Sequence, residues 1–143
     1  YLPISYLPTY STSLSPKALG LPGPGKGLLK MMTFDLKAEQ KFSPQKHVEK
    51  ILSVESGGDV TVACWEPGQV SPNHRHPQAT EIYFCLEGGG HMIVNEKEIA
   101  IDPGQFILHP PGEIHKYVNG DQRTVLFRIR YGQDFASEHI DTT

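Results

Sequence analysis

The stretch of sequence that decides the fold is HRHPQATEIYFCL, residues 74–86. Every second residue from position 82 to position 86 is apolar, and the positions between and before them hold Glu81, Tyr83 and Cys85. Because successive side chains of a strand point to opposite faces, this pattern predicts a β-strand with Glu81, Tyr83 and Cys85 on one face. His74 and His76 lie two residues apart, so in an extended segment they project to the same side.

The chain from position 32 onward continues as short strands separated by turns. Turn formers such as Pro67-Gly68, Asn95-Glu96 and Asp102-Pro103-Gly104 recur at short intervals. Helical periodicity is weak, and residues 35–41 are the best candidate for one or two helical turns. Short strands with frequent turns are typical of an all-β sandwich or barrel. The predicted strands are 32–37, 48–54, 59–66, 80–86, 90–94, 97–101, 105–109, 114–119 and 124–131.

Length and composition indicate one soluble globular domain. The chain has 143 residues, of which 38% are hydrophobic and 20% charged, and no apolar run approaches the roughly 20 residues of a membrane helix. The net charge of the chain is −3. Because the first 31 residues hold three lysines and no acidic residue, the remaining residues are more acidic than this value suggests. An acidic barrel without a basic stripe argues against nucleic acid as a partner. Two cysteines are too few for a disulfide scaffold, which predicts a cytoplasmic protein.

Three segments of different composition define the predicted organisation. Residues 1–31 hold five of the twelve prolines and four glycines, which favours extended, polyproline-like backbone rather than a core. We interpret them as an extension, either a leader or a segment that is not native, which is disordered or drapes over the barrel or a neighbouring subunit. Residues 32–132 form the predicted barrel, and residues 133–143 form a polar tail.

Four residues are spaced as the ligands of one metal ion. His115 follows the turn signal of residues 110–112, so the chain re-enters the sheet there, and a small barrel would direct it to the same point as His74, His76 and Glu81. Imidazole suits Zn, Cu, Fe and Ni, and a carboxylate extends the range to Mn. An octahedral ion with four protein ligands keeps two positions open. The sequence therefore predicts a mononuclear, catalytic metal site rather than a structural one.

The spacing of these residues resembles that of the cupin family. Its first motif, glycine, five residues, His-x-His, three or four residues, Glu, six residues, glycine, is matched by Gly68, His74, His76, Glu81 and Gly88. Its second motif, glycine, five residues, Pro-x-Gly, two residues, His, three residues, Asn, is matched by Gly104, Pro110, Gly112, His115 and Asn119. The fifteen residues between the motifs are similar to the short spacer of small, single-domain microbial cupins.

The resemblance covers residues 68–119 and carries several expectations. It implies a double-stranded β-helix, the cupin jelly-roll barrel, usually as a homodimer. It also implies one divalent transition metal ion per chain, held by His74, His76, Glu81 and His115, with Fe(II) favoured over Mn, Ni, Co, Zn or Cu. The expected partner is a small-molecule substrate, with no nucleic acid and no membrane.

Residues that share a face with the ligands are candidates for the pocket. Tyr83 and Tyr117 lie two residues after a ligand and could orient a substrate or donate a proton, with ordinary aromatic packing as the alternative. Cys85 is a candidate for substrate contact or a small buried hydrophobe. Arg128 and Arg130 would bind a carboxylate or enolate of the substrate if they face inward, and are solvated surface if they face outward.

The remaining histidines and several apolar residues receive less specific interpretations. Isolated histidines on strands are usually core or surface residues, which is the interpretation for His47, His91, His109 and His139. An apolar pocket wall or plain core is the expectation for Trp65, Met92, Phe106 and Leu108.

Three functions remain open at this point. The favoured hypothesis is a non-haem Fe(II) dioxygenase that binds a small chelating substrate and then O₂. The second is a lyase, isomerase or decarboxylase in which Mn, Ni, Co or Zn acts as a Lewis acid. The third is a barrel that binds a small ligand without catalysis. The preference for the first follows the habits of the family rather than any residue.

Overall fold

A computed structural model describes residues 31–133 and 136–141. The predictions for the extension, residues 1–31, lie outside this range except at Met31. Within it there are ten strands and no helix, so none that is long and apolar enough to cross a membrane. The strands are β1 Val48–Glu55, β2 Gly58–Trp65, β3 His74–Arg75, β4 Ala79–Glu87, β5 Gly90–Val94, β6 Lys97–Ile101, β7 Phe106–His109, β8 His115–Asn119, β9 Thr124–Gly132 and β10 Glu138–His139.

The strands form two five-stranded antiparallel sheets. One sheet has the order β1-β2-β9-β4-β7, and the other has the order β10-β3-β8-β5-β6. Strands distant in sequence are therefore neighbours in space, and the chain passes repeatedly from one sheet to the other, as in a jelly roll. The prediction of an all-β, double-stranded jelly-roll fold is confirmed.

Alternation along β4 places one set of its side chains inside the barrel. In β4, buried and half-buried residues alternate over its first eight positions, with Glu81, Tyr83 and Cys85 in the buried set. The larger of two core clusters consists of Ala63, Trp65, Tyr83, Cys85, Met92, Ile101, Tyr117 and Leu126. Because β4 lies between β9 and β7, the segment that carries Glu81 and Tyr83 is paired with a strand on each side.

Several local predictions differ from the structure. Residues 32–37 form no strand: Asp35 accepts hydrogen bonds from the backbone N–H groups of Lys37 (3.0 Å) and Ala38 (3.4 Å) and starts the turn at 36–39. Phe106 and Leu108 do not line the pocket, because the parity of β7 directs them outward, with exposed fractions of 64% and 49%. The short strands β3 and β10 were not predicted.

The parity of β7 gives a testable difference in stability. Ile107 packs against the core cluster, whereas its neighbour Phe106 is exposed. We expect Ile107→Ala to lower the free energy of unfolding by about 2 kcal/mol, since it removes packed methylenes from the interior. Phe106→Ala should change it by about 0.5 kcal/mol or less. Urea unfolding of both variants measures the difference. A larger loss of unfolding free energy for Phe106→Ala would show that Phe106, and not Ile107, faces the interior.

Candidate metal centre

The two sheets bring together the four residues predicted as metal ligands. His74 lies in β3 directly opposite His115 in β8, and His76 follows β3. Glu81 comes from β4, which belongs to the other sheet. One ligand atom from each of the four residues lies within 4.8 Å of those of the other three. The Glu81 Oε2 atom is 2.9 Å from His115 Nε2, and Glu81 Oε1 is 3.4 Å from His76 Nε2.

Backbone carbonyls fix the orientation of all three imidazole rings. The Nδ1 atoms of His74, His76 and His115 lie 3.0, 3.1 and 3.1 Å from the carbonyl oxygens of residues 72, 136 and 113, respectively. A carbonyl oxygen only accepts hydrogen bonds, so each Nδ1 carries the proton and donates it. This tautomer leaves the Nε2 lone pair available for a metal. Metal-ligating histidines usually donate their other ring N–H to a carbonyl or carboxylate oxygen in the same way.

Unpartnered buried atoms show that the site suits a cation. His76 Nε2 and Glu81 Oε1 are buried and have no hydrogen-bond partner. Leaving such atoms unsatisfied is costly, and a metal ion bound between them would satisfy both. Three imidazole nitrogens and one carboxylate oxygen form a donor set that fits Fe, Mn, Co, Ni and Zn alike. The residues therefore fit a divalent transition metal, and they do not select one.

Burial and neighbouring groups set the charges of the ligands. Burial, with His115 close by, lowers the pKa of His74 to about 4, so its ring is neutral and able to bind a metal near pH 7. Burial alone would raise the pKa of Glu81, but the adjacent His115 and His76 rings and the positive charge of Arg128 hold it well below the usual range. The carboxylate is therefore ionised at the centre of the cluster.

A buried cation lies behind Glu81. Arg128 is 3% exposed, and its Nε is 3.6 Å from Glu81 Oε1. Its other nitrogens donate to Glu49 Oε1 at 2.9 Å, Asp59 Oδ1 at 3.1 Å and Thr61 Oγ1 at 3.2 Å. Arg130 donates through Nε to Asp59 Oδ2 at 3.0 Å. The side chain of Arg128 therefore faces inward, which decides between the two orientations that the sequence left open.

The ligands open onto a cavity of about 350 Å³. His74, His76 and His115 are on its wall, and Glu81 lies behind them. Of the predicted pocket residues, Tyr83, Tyr117, Arg128 and Arg130 line the cavity, as do Trp65 and Met92. Cys85 is fully buried in the core cluster, and its thiol donates to the carbonyl oxygen of Glu87 at 3.7 Å. The catalytic and substrate-binding roles assigned to these residues stay predictions.

The two tyrosine hydroxyls remain protonated. Burial raises the pKa of Tyr83 well above its ordinary value. Burial likewise raises the pKa of Tyr117 to about 12, and the Tyr117 hydroxyl donates to Asn119 Oδ1 at 3.1 Å. At neutral pH both groups are therefore hydrogen-bond donors and not bases.

Three histidines with a predicted core or surface role lie at the site. His109 is 1% exposed and stacks on His115 with ring centres 3.9 Å apart, and its Nδ1 is 2.7 Å from Glu113 Oε1. His47 and His139 line the cavity. Because residues two apart in a strand point to the same face, the sequence could have predicted that His109 lies on the inner face with Ile107. No sequence signal links His47 or His139 to the motif residues.

Comparison with known proteins agrees with this architecture. The sequence pattern of the family described as Cupin domain matches residues 61–129. A solved structure from Klebsiella pneumoniae, an uncharacterized conserved protein with a double-stranded beta-helix domain, has a TM-score of 0.72 and 16% identity. The match covers 79% of this chain and 100% of that one. Residues 61–129 therefore form a cupin domain with a double-stranded β-helix fold.

Two curated relatives match shorter stretches. Germin-like protein subfamily 2 member 4 of Arabidopsis thaliana is 34% identical over 82 residues, which are 53% of this chain and 37% of that protein. Gentisate 1,2 dioxygenase 1 of Aquipseudomonas alcaligenes is 32% identical over 62 residues, which are 43% of this chain and 18% of that protein. The chain thus aligns with well under half the length of either relative.

Removal of one ligand should abolish metal retention. After loading with Co(II) and dialysis, we expect the wild-type protein to retain one ion per chain and His76→Ala to retain less than about a tenth. His91→Ala is the matched control, because the His91 side chain is 45% exposed and lies away from the cluster. Elemental analysis measures the content. Equal retention by His76→Ala and the wild type would contradict the assignment of the ligands.

The only tryptophan of the chain reports on the cavity wall. The His47 ring stacks on Trp65 with centres 3.9 Å apart and an angle of 9°. Burial lowers the pKa of His47 below 6.5, and a protonated imidazole in contact with an indole quenches its fluorescence. We therefore expect Trp65 emission to fall on acidification with a midpoint below pH 6.5, and this transition to vanish in His47→Gln. A midpoint above 6.5 would contradict the burial of His47.

Proposed function

We propose that the protein is a mononuclear metal enzyme acting on a small, oxygen-chelating organic substrate, and that it is an Fe(II)-dependent dioxygenase. The observation that carries this proposal is the opening of the ligand cluster onto a cavity of about 350 Å³. In a structural metal site, protein ligands fill all coordination positions of the ion. Here the four ligands lie beside a cavity, which leaves room for a substrate to bind the ion.

Each group of residues has a distinct part in this proposal. His74, His76, Glu81 and His115 would hold the ion, and a bound ferrous ion would supply both Lewis acidity and the ability to activate O₂. Arg128 keeps Glu81 in place from behind. Tyr83, protonated and on the cavity wall, is the hydroxyl that would donate a hydrogen bond to a substrate oxygen. Trp65, Met92 and Tyr117 form an aromatic and apolar part of the cavity wall.

Similarity to a dioxygenase supports the choice of reaction. The aligned part of gentisate 1,2 dioxygenase 1 corresponds to 43% of this chain. Because that part is only 18% of the relative, the likeness supports the type of centre more than the substrate. The activity and the choice of iron therefore need a direct test.

Oxygen consumption is that test. The protein is loaded anaerobically with Fe(II) and offered gentisate, catechol, a β-diketone, a thiol and a keto acid in an oxygen electrode. We expect O₂ uptake with at least one compound, and no uptake above background by His76→Ala loaded in the same way. The absence of O₂ uptake with every compound would contradict the dioxygenase proposal. Turnover without O₂ would instead support the Lewis-acid alternative.

A further inference from the structure

Five charged side chains form one connected network at the cavity, in which four are largely buried and Glu49 is partly open to solvent. Arg128, Arg130 and Glu49 are the Arg, Lys, Asp and Glu side chains on the cavity wall among the described residues. Behind them lie Asp59, which pairs with both arginines, and Glu81, which is 3.6 Å from Arg128. Exposed fractions of these side chains are 35% for Glu49 and 14% or less for the other four.

The charges of this network do not balance. Within this network of five side chains, two guanidinium groups face three carboxylates, which leaves one negative charge. Glu113 lies outside the network, in a separate pair with His109. Burial alone would raise the pKa of Asp59, but Arg128, Thr61 and Arg130 hold it below the ordinary value, so it is ionised near pH 7. The histidine ligands are neutral when they bind a metal. A divalent ion therefore changes the net charge of the network and ion together from one negative to one positive.

A buried net charge is unfavourable unless a counter-charge accompanies it. The two arginines are not free to bind a substrate carboxylate through two parallel hydrogen bonds. Glu49, Asp59 and Thr61 already accept hydrogen bonds from them. The negative charge that neutralises the loaded site would have to come from the ligand that binds at the metal. On the basis of the proposed metal site, we propose that the loaded cavity selects small monoanions that chelate through oxygen, in preference to neutral molecules and dianions.

Glu49 sets this preference and can be changed without touching a metal ligand. It lies in β1, and its Oε1 accepts a hydrogen bond from Arg128 at 2.9 Å. Glutamine keeps a side-chain oxygen that can accept this bond, but it removes the negative charge. The net charge of the loaded cavity then becomes two positive, so Glu49→Gln should move the preference toward dianions.

The test uses two 2-hydroxy acids that differ in charge, lactate with one negative charge and hydroxymalonate with two. Each is titrated at pH 7.5 into the anaerobic, Co(II)-loaded full-length protein, and binding is followed by the visible absorption of cobalt. We expect lactate to bind more tightly to the wild type, although a free metal ion in water favours the dianion. In Glu49→Gln, the ratio of the two dissociation constants should move about tenfold toward hydroxymalonate.

Two control variants separate charge from shape. Glu49→Asp keeps the charge and should keep the wild-type order of the two acids. Glu98→Gln removes a carboxylate whose side chain is 63% exposed and should leave the ratio unchanged. If Glu49→Gln does not fold, the order of the two acids in the wild type still tests the proposal.

Several results would overturn the inference. Tighter binding of hydroxymalonate to the wild type would do so, as would an unchanged ratio in folded Glu49→Gln or no spectral response to either acid. In those cases cobalt is retained, and the proposed metal function stands. A protein that retains no cobalt would overturn the proposed function and this inference together.

Discussion

The carboxylate of Glu81 is the group on which the rest of the site depends. It is 1% exposed, and it lies between the Nε2 atoms of His76 and His115 on one side and the Arg128 guanidinium on the other. An ionised carboxylate is tolerated there only because positive or hydrogen-bonding groups surround it. A metal ion would complete this environment, since Glu81 Oε1 and His76 Nε2 otherwise lack hydrogen-bond partners.

The two-sheet architecture explains why these groups meet. Glu81 and Arg128 come from one sheet, and His74 and His115 come from the other. A bound ion would therefore link the two halves of the barrel through their inward faces. The cross-strand pair Glu81 and Arg130 and the next pair, Tyr83 and Arg128, form adjacent rows on the first sheet. One metal ligand, Glu81, and the two cavity arginines therefore arise from one stretch of β4 and β9.

Much of this arrangement could be predicted from the sequence, because alternation has a fixed period and the motif residues lie on strands. Eight strands follow from that periodicity, and the convergence of His74, His76, Glu81 and His115 follows from the spacing of the motif residues. Strands β3 and β10 have two residues each, too short for a period to show. The inward orientation of Arg128 depends on Asp59 and Glu49, which lie 69 and 79 positions away. The positions of His47 and His139 on the cavity wall likewise depend on long-range packing, which no local pattern records.

The central claim is that three imidazoles and one carboxylate hold a single ion. X-ray absorption at the zinc edge of protein loaded with one equivalent of Zn(II) tests it most directly. The account predicts imidazole scattering from three histidines, with nitrogen and oxygen neighbours at about 2.0–2.2 Å and no sulfur. A sulfur shell near about 2.3 Å, or scattering from fewer than three imidazoles, would contradict it.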